Sequence, residues 1–268
     1  MPNIYALSDI HGYYEQMIDS LKNVDLKNQE NKIFFLGDYV DGGNDSCKVL
    51  YYIKELYERH PEQTTVLLGN HEEMFLDWLY SPVDELQWLS QVQGVCTVKS
   101  FFTNEGYREI FDSIQSTSCS YDEMSKVFKV AIKKKHHDLL QWLLNISKQP
   151  RYIETDQQIF VHAGILEEAE DWWKHGTPIE YFTQKYPAET GYFYKDIIAG
   201  HISSAEIANN QQYLGKTYWD GENHFYIDGT VEKSGIIPVL KYDSEKKMYS
   251  SFEKDEKTKD WREVYVNV

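Results

Sequence analysis

Ile33-Phe34-Phe35-Leu36-Gly37-Asp38-Tyr39-Val40-Asp41-Gly42-Gly43 is an apolar run that stops in a cluster of aspartates and glycines. Four consecutive apolar residues bounded by turn formers read as a buried strand, with a loop at its carboxyl end. The arrangement recurs on both sides. Upstream, Ile4–Leu7 runs into Ser8-Asp9-Ile10-His11-Gly12. Downstream, Val66–Leu68 ends in Gly69-Asn70-His71-Glu72, Ile159–Val161 in His162-Ala163-Gly164, and Ile197–Ala199 in Gly200-His201.

Helical patterns separate the first of these runs. Tyr13–Val24 carries Met17, Ile18 and Leu21 on one face. A second pattern, 44–59, carries Val49, Leu50, Ile53, Leu56 and Tyr57, with Asn44 or Ser46 as its expected cap. Strand and helix alternate, which predicts an α/β fold with a parallel or mixed sheet. From about Glu72 to Lys148 the pattern is helical, with turn signals at Ser81-Pro82 and Asn104-Glu105-Gly106. It reads as a helical insertion at about 75–150 inside one domain spanning 1–268. After Thr217 the chain turns β-rich: His224–Ile227, Ile236–Tyr242, Met248–Phe252 and Glu263–Val266.

The 268 residues include 27 basic and 43 acidic side chains, a net charge of −16, which weighs against nucleic-acid binding. With 41% apolar and 26% charged residues the chain has the composition of a packed domain. No apolar run approaches the roughly 18–20 residues of a membrane span, and the N-terminus lacks the charged start of a secretory signal. Three cysteines, Cys47, Cys96 and Cys119, suit free thiols in a reducing, cytoplasmic setting. They form no C-x-x-C pair. The residues six positions beyond them are Ile53, Phe102 and Ser125, so the arginine of a cysteine phosphatase is missing. The P-loop pattern does not occur.

In α/β sheets, loops at the carboxyl ends of strands line the binding crevice. Five such loops converging would gather Asp9, His11, Asp38, Asn70, His162 and His201. The donors are oxygen and nitrogen without sulfur, which suits Mn²⁺, Fe or Zn²⁺. Two carboxylates, three imidazoles and an amide exceed the needs of one catalytic ion. They match two ions about 3.5–4 Å apart sharing a carboxylate.

This set resembles the calcineurin-like metallophosphoesterases. Within them it is similar to the PPP-type serine/threonine protein phosphatases and to their bacterial relatives, the symmetrical diadenosine tetraphosphatases. The family blocks D-x-H-G, G-D-x-V-D, G-N-H-E, H-A-G and G-H occur in order from Asp9 to His201. Gln93-Gly94 through Thr97 to Ser100, and Tyr226-Ile227-Asp228-Gly229, also resemble blocks of the bacterial branch. The resemblance implies a four-layer α/β/β/α sandwich of two mixed sheets holding two divalent ions, with Mn²⁺ the first expectation and Fe or Zn²⁺ the alternatives. It implies that Asp9 and His11 bind one ion, Asp38 bridges, and Asn70, His162 and His201 complete the second. A bridging water or hydroxide would attack phosphorus. His71 would be the general acid, oriented by Asp41. Ser203 stands where many relatives carry a further histidine, which favours the PPP-like branch.

The sequence departs from the family at its phosphate-gripping arginines. Gly42 replaces one, and the four arginines, Arg59, Arg108, Arg151 and Arg262, leave none between His162 and His201. Lys195 is the nearest cation there, and a lysine cannot form the bidentate fork. The expected substitutes are Lys195 and the amides of Gly42 and Gly43 at a helix N-terminus. The favoured substrates are phosphomonoesters, phosphoserine and phosphothreonine peptides included. The alternatives are hydrolysis of a dinucleoside polyphosphate such as diadenosine tetraphosphate, and a non-catalytic phosphate-binding module. Partners are phosphorylated small molecules, peptides or nucleotides, without membrane or nucleic acid.

The remaining features read as structural. Glu72 is a first-turn helix acid or a partner of the ligands. The basic run from Lys126 to His137 is a solvated helix face, without metal at His136-His137. His224 is structural. Trp172-Trp173 and Tyr192 line a cleft or pack.

Overall fold

The computed structural model describes residues 2–82, 87–115, 120–255 and 257–266. Its first sheet has six strands in the order β11-β10-β9-β1-β2-β3. β1 (Asn3–Leu7), β2 (Lys32–Phe35) and β3 (Thr64–Val66) run parallel, with Tyr5 opposite Ile33 and Ile33 opposite Thr64. β9 (Leu240–Asp243), β10 (Met248–Lys254) and β11 (Trp261–Tyr265) extend it antiparallel. The second sheet has the order β4-β5-β6-β8-β7. Its centre is parallel: β5 (Gln158–Val161), β6 (Asp196–Ser203) and β8 (His224–Asp228). β4 (Tyr152–Glu154) and β7 (Tyr218–Trp219) close its edges antiparallel.

Alternation along each strand builds the layers. Ala6, Phe34, Leu36 and Leu67 of the first sheet meet Phe160, Ile198, Phe225 and Ile227 of the second. The opposite face of the first sheet, Tyr5, Leu7, Ile33, Phe35 and Val66, is covered by helices. These are α1 (Tyr14–Leu21), α2 (Ser46–Arg59) and α3 (Asn70–Tyr80), followed by α4 (Val92–Ser100), α5 (Asn104–Gln115), α6 (Tyr121–Lys135) and α7 (His137–Ile146). α2 buries Val49, Leu50 and Ile53 in the same cluster as Phe101, Phe128 and Leu143, so α4–α7 extend the helical layer. The outer face of the second sheet is covered by Ile165, Trp173, Phe182 and Phe193, which lie in loops and single helical turns. The outcome is two mixed sheets with helices, the second flank being much thinner than the first.

Three local expectations are corrected. The N-cap of α2 is Asp45, and no side chain caps it. Asn104-Glu105-Gly106 opens α5 instead of turning the chain, because the Thr103 hydroxyl and carbonyl accept from the amides of Gly106 and Tyr107 at 3.1 and 2.9 Å. The strand expected at Ile236–Tyr242 begins only at Leu240, since Pro238 has no amide to donate to a ladder. Among the described residues, no helix is long and apolar enough to cross a membrane.

Candidate active site

The carboxyl ends of the parallel strands share one edge of the sandwich. Asp9 and His11 follow β1, Asp38 and Asp41 follow β2, His162 follows β5, and His201 lies in β6, with Asn70 and His71 opening α3. A register irregularity between Ala199 and Ser203 turns His201 inward. Two groups of ligand atoms, each within 4.8 Å, meet at one carboxylate: His11, Asp38 and His71, and Asp38, His162 and His201. Asp38 Oδ2 is 3.8 Å from His11 Nε2, 3.9 Å from His71 Nε2 and 3.3 Å from His162 Nε2. Asp9 Oδ1 is 3.9 Å from His11 Nε2. Asn70 Oδ1 is 3.1 Å from both His162 Nε2 and His201 Nδ1.

Two imidazoles are aimed from behind. His11 Nδ1 donates to the Val40 carbonyl at 3.0 Å and His162 Nδ1 to the Leu36 carbonyl at 2.8 Å. Each ring therefore turns Nε2 inward, as imidazole ligands of metals do. Close approach fixes the glycines: a Cβ on Gly69 would collide with Asp38 Oδ1, and one on Gly200 with Asp9 Oδ2. Asp9, His11, Asp38, Asp41 and His201 all hold left-handed backbone, with φ from 48° to 67°. This is sparsely populated for residues with a Cβ and gathers at functional sites.

Asp9 and Asp38 are each only 2% exposed, with no lysine or arginine ion pair among the described residues. Burial would lift the Asp38 acid, but His162, His71 and His11 outweigh it and hold it well below the usual range. Burial raises Asp9, with Asp38 adding to the effect. Burial opposes charge on His162, yet Asp38 carries it up to about 9. His201 is pushed down to about 4 by burial and by His162. Buried carboxylates facing inward-turned imidazoles and an amide oxygen are a donor set that fits hard or borderline divalent ions. Loading would displace the protons that now satisfy the cluster.

His71 is the point where this cluster meets a second network. Its Nδ1 lies 2.8 Å from Asp41 Oδ2. Burial disfavours its charge, but Asp38 and Asp41 together lift it to about 9. Asp41 is 2% exposed, and its other contacts come from the insertion: Trp88 Nε1 donates to Oδ2 at 3.0 Å and Thr97 Oγ1 to Oδ1 at 2.7 Å. Trp88 was not singled out from sequence, and Thr97 only as part of a block. Glu72, fully buried, accepts from the amides of Asp38, Tyr39, Val40 and Gly69 at 2.7–3.0 Å. It thereby clamps the Asp38 loop onto α3.

The expected phosphate contacts fare differently. Lys195 precedes β6, whereas His201 lies near its other end, and its ammonium is held by Glu154 Oε1 at 2.8 Å and the Thr155 carbonyl at 2.7 Å. It cannot reach the cluster. The Gly43 amide donates to the His11 carbonyl at 2.6 Å and is spent. Gly42 stays beside His11 at φ 120°, where its amide has no partner among the described residues.

Asp228, ending β8, joins this edge as a sixth loop. Burial and Asp9 push its acid up to about 8. It repeats the signal of an apolar run ending in Asp-Gly. A cleft of about 700 Å³ opens beside His201 and Asp228 and extends to Thr230 and Lys233. Among the other residues, His136 is held by Tyr51 and the Phe101 carbonyl, Trp173 is buried, and Trp172 and Tyr192 are exposed away from the cleft.

Residues 2–225 match the calcineurin-like phosphoesterase family model, and the chain belongs to that family. A stretch of 110 residues is 33% identical to the serine/threonine-protein phosphatase PP2A-like PPG1 of Candida albicans. That stretch is 38% of this chain and spans about a quarter (26%) of the relative's length. The fold is similar to a cold-active protein tyrosine phosphatase (TM-score 0.56, 14% identity, 99% of this chain and 79% of that one). It is also similar to a putative diadenosine tetraphosphatase (TM-score 0.52, 14% identity, 98% and 93%). A protein serine/threonine phosphatase from Saccharomyces cerevisiae follows (TM-score 0.50, 11% identity, 99% and 80%).

Proposed function

We propose that the chain is a dinuclear-metal phosphomonoesterase of the PPP type, one domain spanning 1–268. The observation that carries this is Asp38, a single carboxylate shared by two groups of ligand atoms. Asp9, His11 and Asp38 would hold one divalent ion, and Asp38, Asn70, His162 and His201 the other. The ion pair supplies Lewis acidity toward the phosphoryl group and a nucleophilic water at neutral pH, with Mn²⁺ the first expectation.

The chain's own residues do the rest. His71, tied by Nδ1 to Asp41 and with Nε2 facing the cluster, delivers a proton to the leaving oxygen. Trp88 and Thr97 hold the Asp41 carboxylate in the orientation that aims His71. The Gly42 amide is the remaining backbone donor for a phosphoryl oxygen. The cleft from His201 to Lys233 receives the rest of the ester. Cys47 is a buried free thiol pushed up to about 12 by burial, so it takes no part in the chemistry.

The test is p-nitrophenyl phosphate hydrolysis by metal-stripped protein after adding back Mn²⁺, Fe²⁺, Zn²⁺ or Mg²⁺, with metal content measured alongside. Turnover should return with about two ions per chain and fall at least ~10³-fold in Asp38→Asn with loss of bound metal. Full activity in Asp38→Asn, or no turnover with any metal, overturns the reading.

A further inference from the structure

The residues proposed for the two ions serve them unequally. The second ion has Asp38, Asn70, His162 and His201, whereas the first has Asp9, His11 and the shared Asp38. Asp9 is also drawn on by the backbone, since the His201 amide lies 3.1 Å from both of its oxygens.

A further carboxylate stands at this edge. Asp228 ends β8, the parallel neighbour of β6, and pairs with Ser203 just past the irregularity that turns His201 inward. It lines the same cleft as His201 yet is only 8% exposed. Its Oδ1 accepts from the Thr230 amide at 2.6 Å, and its Oδ2 has no hydrogen bond or ion pair among the described residues. The turn that holds it is strained and tightly packed. Thr230, a β-branched residue, adopts φ 52°, and its hydroxyl donates to Ser203 Oγ at 2.6 Å. A Cβ on Gly229 would strike Pro238 and the Ile236 carbonyl. The other acids of the cleft, Glu206 and Glu232, are exposed, as is its lysine, Lys233.

We infer that Asp228 is a positioning residue for the first ion: its carboxylate supplies the negative charge that the Asp9–His11 site otherwise lacks, and so raises the affinity of that site for a divalent cation. The inference rests on the metal cluster proposed above. The ligand residues whose charges act most on Asp228 are Asp9 and His11, the two that belong to the first ion alone. A buried carboxylate with one oxygen unpartnered is costly to keep, and a nearby cation offsets that cost. The Thr230 hydrogen bond does not by itself call for an acid, because an asparagine oxygen accepts it as well.

Calorimetric titration of Mn²⁺ into the metal-stripped full chain tests this. In Asp228→Asn one of the two binding steps should weaken at least ~10-fold and the other by less than about threefold. The weakened step should be the one lost in His11→Asn and kept in His201→Asn. The effect should persist in about 0.5 M salt, because a buried charge is poorly screened. Glu206→Gln and Glu232→Gln, on the exposed rim, should change either step by less than about threefold, and that change should vanish in salt. Metal-free Asp228→Asn should melt within about 2 °C of wild type, since the Thr230 amide keeps its acceptor. Unchanged affinities in Asp228→Asn, or an equal loss at both steps, overturn the inference. A metal-free variant melting more than about 5 °C lower overturns it too, by making the carboxylate structural. So does a fall in p-nitrophenyl phosphate turnover with both affinities intact, which would place Asp228 on the substrate. A wild-type chain that binds no divalent ion sinks the metal reading and this inference with it. A wild type that binds two ions, matched by Asp228→Asn, sinks the inference alone.

Discussion

The indole of Trp88 donates to Asp41 Oδ2 at 3.0 Å, joining the helical insertion to the loop after β2 across 47 residues of chain. The same oxygen holds His71 Nδ1 at 2.8 Å. The helices after α3 are thus tied into the proposed acid-base pair. Trp88→Phe and Thr97→Val should lower kcat by roughly 10–100-fold, with bound metal unchanged and Thr97→Ser largely restored. If both variants turn over like wild type, Asp41 is oriented by its own loop alone.

His71→Asn removes the proposed proton donor. For phenyl phosphate, whose leaving oxygen needs the proton, kcat should fall by about 10²–10⁴. For p-nitrophenyl phosphate, a much better leaving group, the fall should be smaller. Equal losses on both substrates would argue that His71 serves the cluster as a ligand and not as an acid, as its 3.9 Å approach to Asp38 allows.

Gly200→Ala should abolish metal binding without unfolding the chain. The added Cβ would drive into Asp9 Oδ2 and the Ser8 hydroxyl, while the backbone at 200 needs no left-handed angle. The expected result is an unchanged far-ultraviolet circular dichroism spectrum with metal content well below two per chain. Normal occupancy would show that the Asp9 loop can yield.

Glu72→Ala would leave four buried amides without an acceptor. A loss on the order of 3–5 kcal/mol in unfolding free energy is expected, read from urea titration. Glu72→Gln, which keeps one carbonyl acceptor, should lose less. A loss below about 1 kcal/mol for the alanine variant would mean that water replaces the carboxylate.

His224, 1% exposed at the side chain, sits between Asp220 Oδ2 at 3.0 Å and Glu167 at 3.1 Å, with Lys185 and Glu189 behind Glu167. Burial opposes its charge, but Glu167 and Asp220 raise its pKa above the usual histidine value. The folded state therefore binds this proton more tightly than the unfolded chain does. The stabilisation is fully present below about pH 6.5 and fades as pH rises through the folded value. In thermal melts from pH 6 to pH 9.5, wild type should lose an increment that His224→Gln never had. Parallel curves would show that His224 does not titrate in this interval.

The strand ends were legible because each apolar run stops in a polar, glycine-containing cluster, and a parallel sheet must bring such ends to one edge. Asp9, His11, Asp38, Asn70, His162 and His201 meet for that reason. Lys195 misled because adjacency to a strand does not say which end of it a residue occupies. β4 and β7 were missed, being two or three residues long at sheet edges with mixed polarity. Trp88 could not be foreseen, since no local pattern tells a packing indole from one aimed at a carboxylate 47 residues away.

The left-handed backbone at Asp9, His11, Asp38, Asp41 and His201 has an evolutionary consequence. Such a conformation costs a residue with a Cβ about 1 kcal/mol, least for Asp, Asn and His, and glycine relieves it. A lineage released from its chemistry could relax this strain only where the side chain holds no buried partner; Asp41, paired with His71, Trp88 and Thr97, would be kept. Loss of activity would therefore begin at the other strained residues and leave the Asp41 network standing as its last trace.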